Sequence, residues 1–207
     1  MEIKTRDLNR DHIIRLASMG DFTHINHMIG MGAIDHVDIT TTVIHCIRYG
    51  LWQAIDVLAN FGVNIQLMVE TAAYYGRPAL VEKYAPLVPD LTQAILNATE
   101  RGHYSTVLKL ITRGAPIKEA AESAARKGDL ALIETFLERG VDAGGLMLIA
   151  ATRGHSLVME KCMEYGATNY EKCMMAAGRS GHIKVLDFLD MRWSRISQEA
   201  RAVNKTT

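Results

Sequence analysis

Apolar positions between Ala120 and Val141 fall into two phases. Ala121, Ala124 and Ala125 share one helical face, and a polar tract, Arg126-Lys127-Gly128-Asp129, follows. Leu132, Ile133, Phe136 and Leu137 then recur at i, i+1, i+4 and i+5. The second set is the stripe of an amphipathic helix, and the first is a narrow stripe of small residues on another. Gly140, after the last turn, has the place of a C-cap residue with positive φ. The segment therefore predicts two short antiparallel helices hinged at Gly128.

The same pattern returns along the chain. Gly50, Gly76, Gly102, Gly128, Gly154 and Gly181 are spaced by 26, 26, 26, 26 and 27 residues, and Gly20 lies 30 before Gly50. Small residues precede these glycines: Ala17, Cys46, Ala72-Ala73, Ala98, Ala150-Ala151 and Ala176-Ala177. Apolar pairs follow them, for example Val107 with Leu110-Ile111, and Val158-Met159 with Cys162-Met163. The unit with Leu80, Val81 and Tyr84 lacks a terminal glycine and carries Pro86 and Pro89, so its exit loop is expected to be irregular. A fixed period in this range marks stacked repeats, in which no single helix pair buries its apolar faces alone.

Each position has a physical task. Small residues on the first helix permit close helix–helix approach, and the glycine permits the tight reversal. Asp21 and Asp129 are placed to cap the second helix through its free N–H groups. His103, His155 and His182 share one position and are expected to bond loop backbone.

The motif Ala-Ala-x-x-Gly-His/Asp, followed by two apolar pairs and Gly-Ala, resembles the ankyrin repeat. It is clearest in 98–115, 124–141 and 150–167. That resemblance implies a non-enzymatic, protein-binding solenoid. Two departures stand out: the family's repeat is about 33 residues, and the Thr-Pro-Leu-His opening is missing, with Thr41-Thr42-Val43-Ile44 as its nearest relic. The lost residues fall where a β-hairpin finger would project. The expected fold is therefore an all-α solenoid of about seven stacked helix-turn-helix repeats with β-hairpin fingers largely absent. The boundaries are about 10–35, 40–65, 66–90, 91–117, 118–143, 144–169 and 170–192, with a capping helix over about 193–203, in one array spanning 1–207. The Gly-His-rich style resembles ankyrin-like proteins of large DNA viruses.

Composition narrows the function. Lys plus Arg and Asp plus Glu number 23 each, so no general electrostatic grip on nucleic acid or anionic lipid is expected. Apolar runs such as Gly145–Ala151 are too short to span a bilayer. The stretch from Met1 to Asp11 is polar and charged, unlike a secretion signal. Three cysteines fit a reducing, intracellular compartment (host cytoplasm, if the origin is viral). Cys46 and Cys162 occupy apolar positions of the repeat and read as buried hydrophobes.

The sharpest candidate for function is the pair of residues before each hinge glycine. These positions supply Arg48, Tyr74, Tyr75, Arg101, Arg126, Lys127, Arg153 and Arg179 as candidate partner-binding residues. Aligned by stacking, they would form a positive stripe able to hold an acidic or phosphorylated segment. The plainer reading is that cations at helix C-termini offset the macrodipole. Trp52 beside the tyrosine pair has two readings, an interface aromatic or a residue packed onto its turn. His24 and His27, with His12, His36 and His45 nearby, raise a metal-binding alternative, but His24 falls on a core-facing position and no ligand spacing completes a site. No nucleophile elbow or phosphate loop is present. Trp193, Ile196, Ala200 and Val203 predict an amphipathic cap, with Arg192, Arg195, Arg201 and Lys205 in water. The expectation is a binding scaffold, not an enzyme, that takes its partner on a concave face built from the first helices of successive units or on the charged edge, with no cofactor or metal. Its partner is another protein rather than nucleic acid or membrane. The rival roles are a self-associating structural component and a metal- or ligand-binding module through the N-terminal histidines.

Overall fold

The computed structural model describes residues 2–32 and 36–203, with side chains over 11–32 and 39–195. Among these residues every regular element is helical and no strand occurs. Two compact units divide the chain, one ending at Pro116 and the other starting at Ile117.

The first unit holds α1 (Glu2–Met19), α2 (Phe22–Gly30), α3 (His36–Tyr49), α4 (Trp52–Ala59), α5 (Ile65–Tyr74), α6 (Pro78–Tyr84), α7 (Thr92–Arg101) and α8 (Tyr104–Thr112). Each odd helix packs on the even helix that follows it. The odd helices also pack in series, α1 on α3, α3 on α5 and α5 on α7. The second unit repeats this arrangement with α9 (Ile117–Lys127), α10 (Leu130–Leu137), α11 (Ala143–Arg153), α12 (Ser156–Glu164), α13 (Tyr170–Arg179) and α14 (Ile183–Val203). The described chain is thus a helical repeat of seven hairpins, four in one unit and three in the other.

The hinges explain the small residues. The N–H after each hinge glycine donates to a carbonyl five residues back, as in His103 to Ala98 (2.9 Å), Asp129 to Ala124 (3.1 Å) and His155 to Ala150 (3.0 Å). This closes a Schellman motif, which needs a left-handed residue between its ends. Gly128 supplies it at φ +77°, a conformation costly for any residue with a Cβ. Ala120, Ala121, Ala124 and Ala125 are fully buried. Their small volume lets α9 lie close to α10 and α11. Leu132, Ile133 and Phe136 fill the space on the α10 side with essentially no exposure.

The anticipated caps form. Asp21 accepts from the His24 N–H at 3.2 Å, and Asp129 accepts from the Leu132 N–H at 3.2 Å. Asn64 and Asp142 cap α5 and α11 in the same way. The irregular exit after α6 is a single 3₁₀ turn, Ala85–Leu87.

Two local expectations differ from the structure. The segment expected as a separate cap is continuous with the last hairpin, because α14 runs unbroken from Ile183 to Val203. Nothing between Leu189 and Trp193 interrupts helical propensity, and Trp193 meets the Tyr170 ring edge-on at 5.6 Å. The side chains of Ile196, Ala200, Arg201, Val203 and Lys205 lie outside the described residues. His24, expected to face the core, points outward and is exposed. Its Nδ1 lies 2.7 Å from Asp21 Oδ2, and Ile25 takes the buried position instead.

Candidate interaction surface at the hinge edges

The residue after a hinge glycine does more than reverse the chain. His103 Nε2 lies 3.0 Å from the Tyr74 carbonyl, His155 Nε2 3.0 Å from that of Arg126, and His182 Nε2 3.0 Å from that of Thr152. Each imidazole therefore donates to the preceding hairpin, always at the second residue before its glycine. Arg77 holds the equivalent position and does the same work, donating from Nε to Ile47 O and from Nη2 to Arg48 O. These contacts satisfy C-terminal carbonyls that the helix itself leaves open.

The clamp imposes a second demand on the glycine. The His155 ring lies over Gly128 so closely that a Cβ there would sit 2.6 Å from Nδ1, and the His103 ring covers Gly76 in the same way. The Asp129 side chain has no N–H to donate to the preceding hairpin and serves as a cap.

Clamped or not, the hinges turn side chains outward. In the first unit Arg48, Tyr74 and Arg101 are exposed, and Tyr75 is half-buried. The Arg101 guanidinium lies 3.9 Å from the centre of the Tyr74 ring. Tyr75 meets Tyr74 edge-on at 5.0 Å. Arg77 lies 5.3 Å from the Trp52 ring centre and Arg48 5.5 Å from that of Tyr49. Successive hinges of this unit thus carry three arginine–aromatic pairs. Trp52 lies against its own turn, where a Cβ added to Gly50 would meet the ring at 3.4 Å, and it stays 46% exposed.

Arg48 and Tyr75 also meet at a groove of about 460 Å³ between α1, α3 and the end of α5, walled by Ile14 and Ile44 and edged by Arg15 and His45. Burial, with help from Arg48, holds the His45 imidazole below its ordinary value, and Asp11 opposes the shift.

In the second unit Arg126, Lys127, Arg153 and Arg179 are exposed at the ends of α9, α11 and α13. Arg126 pairs loosely with Glu122 one turn earlier, at 3.7 Å. Leu130 and Ile183 stand two residues beyond their hinges where the first unit has Trp52 and Tyr104. The edge of this unit is aliphatic and basic rather than aromatic.

The sequence marks the pairs before the hinge glycines but not which arginine meets which ring, and Arg77 stands outside those pairs. The detectable signal for Arg77 was its place in the histidine register. Among the described residues no group of three or more His, Cys, Asp or Glu side chains is arranged to hold a metal ion, and the His36 side chain lies outside them. No helix is long and apolar enough to cross a membrane among the described residues. Cys46, Cys162 and Cys173 are buried, and burial pushes their thiols up to about 12, 12 and 11.

No family model matches the sequence, and no curated protein does. Among solved structures the chain is similar to the crystal structure of the human ASB11 ankyrin repeat domain, with a TM-score of 0.60 at 18% identity over 72% of this chain and 81% of that one. At that identity the likeness speaks for the fold alone. Hinged helix pairs packed in series and a matching solved domain lead to one conclusion: the chain has the fold of an ankyrin repeat domain.

Proposed function

We propose that this chain is a non-enzymatic protein-binding scaffold whose partner seats on the hinge edges. The reading rests chiefly on one observation. At these edges glycine turns fix the backbone, interhairpin clamps reinforce the Gly50, Gly76, Gly128 and Gly154 hinges, and arginine and tyrosine side chains are presented to solvent. Such residues, held rigidly and exposed, are the usual anchors of protein interfaces. Ankyrin folds serve in general as binding scaffolds, which supports the same reading. Three unpaired, buried thiols favour a reducing compartment.

The test is affinity capture from the native cell with the chain as it stands and with two edge variants. One carries Arg48→Glu and Arg101→Glu, the other Arg126→Glu, Arg153→Glu and Arg179→Glu. Loss of a captured protein by either variant, with helicity intact, is the expected result. An unchanged set with both variants removes the hinge edges from the function. Concentration-dependent mass in light scattering would instead assign the edges to self-assembly.

A further inference from the structure

The structure assigns the arginine–aromatic edge of the first unit to an extended, carboxylate-rich peptide segment of a partner protein. This inference rests on the scaffold reading above and names the partner's chemistry. All exposed aromatic residues described in this unit, Tyr49, Trp52, Tyr74 and Tyr104, stand within two positions of a hinge glycine. An aqueous surface has no need to gather its aromatics beside the hinges. Collected along one edge and interleaved with arginine, they have the composition of an interface anchor.

The arginines define the charge of the occupant. Arg48 and Arg101 each lie over a tyrosine ring, and neither has a carboxylate partner among the described residues. Stacking uses the face of a guanidinium and leaves its N–H edge open, the geometry that binds a carboxylate bidentately. Arg77, between them, is committed to the carbonyls of Ile47 and Arg48. It fixes the spacing of the edge rather than reading a ligand.

The packing of α3, α5 and α7 in series sets the spacing. Packed helices lie about 8–10 Å apart, and an extended peptide advances about 3.3 Å per residue. Carboxylates about three residues apart therefore meet successive hinges, and Arg48 and Arg101, two hinges apart, take a pair about six residues apart. A single-stranded nucleic acid could also stack on such an edge. Two open guanidinium groups on a chain of zero net charge give little of the phosphate neutralisation that binding requires. Peptide is the better fit.

Trp52 reports on the site directly. In a Trp193→Phe background it is the sole tryptophan. A fluorescein-labelled peptide of about twelve residues with glutamate at every third position is titrated by anisotropy and by Trp52 emission. Parallel titrations use the same peptide with glutamine and a labelled oligouridylate. The expected result is saturable binding of the glutamate peptide with a change in Trp52 emission, weakened by salt and absent for glutamine. Arg48→Glu with Arg101→Glu should weaken it roughly tenfold or more. Arg101→Lys, which keeps the charge and loses the planar stack, should fall between. Binding unaffected by the double reversal, absence of binding, or preference for oligouridylate would each overturn the inference. If the peptide fails while Arg48/Arg101 reversal still releases a captured protein, the partner class is wrong and the scaffold reading stands. If neither responds, this edge has no binding role.

Discussion

Gly128→Ala separates the two demands placed on a hinge glycine. The residue has φ +77°, and a Cβ on it would meet the His155 ring at 2.6 Å from Nδ1 and 2.9 Å from Cε1. Alanine in the left-handed region costs roughly 1–2 kcal/mol. Displacing the ring also breaks the bond from His155 Nε2 to Arg126 O, 3.0 Å long, worth about 0.5–1.5 kcal/mol. The sum is about 1.5–3.5 kcal/mol. Gly140→Ala is the control, because Gly140 has φ +81° and nothing within 4 Å of its added Cβ. It incurs the conformational cost alone, so the excess at Gly128, about 1 kcal/mol, measures the clamp. Urea unfolding followed by circular dichroism gives both values, provided the slope is unchanged between variants. In a His155→Ala background the excess should vanish, since no ring remains to displace. Equal destabilisation by the two alanines, or an excess that survives without the imidazole, would refute the clamp.

Three further outcomes follow from the packing. Ala124→Leu, at a fully buried position between close helices, should destabilise by about 1–3 kcal/mol through overpacking, read as a fall in the urea midpoint. Cys46, Cys162 and Cys173, with thiols raised to about 12, 12 and 11 by burial, should resist a disulfide reagent at neutral pH and all react once urea unfolds the chain. Asp56 accepts from Lys83 Nζ at 2.6 Å and from the Tyr84 hydroxyl at 2.9 Å, and its carboxyl is held low by Lys83 first. A lowered folded value means its contribution is complete above the ordinary carboxylate range and is lost as pH falls through the folded value. The gap between wild type and Asp56→Asn, ~0.2–1 kcal/mol for so exposed a pair, should therefore be present at pH 7 and close on acidification. A gap that is constant with pH would reject the ion pair.

The hinges were legible because their chemistry is local. A Schellman turn needs glycine, a close helix crossing needs alanine, and both needs repeat with the hairpin. Asp129 could be read as a cap for the same reason, since its acceptor lies three residues away. His24 was misread because a helical wheel gives no weight to a capping carboxylate. Asp21 Oδ2 meets the exposed imidazole at 2.7 Å, while Ile25, the next residue, is buried. The Arg77 clamp and the Arg101–Tyr74 stack were invisible for another reason. Their partners lie 27 to 30 residues away in sequence, on a neighbouring hairpin. No periodicity says which side chain meets which carbonyl. The split after Pro116 was equally hidden, because the spacing from Gly102 to Gly128 is the same 26 residues as its neighbours.

The clamps grip main-chain oxygen, which every amino acid carries. Tyr74, Arg126 and Thr152, three unlike residues, all receive the imidazole on an identical atom. What such a position shows to the outside can be rewritten without loosening the joint beneath it. The joint is thereby anchored on an atom that no substitution at that position can take away.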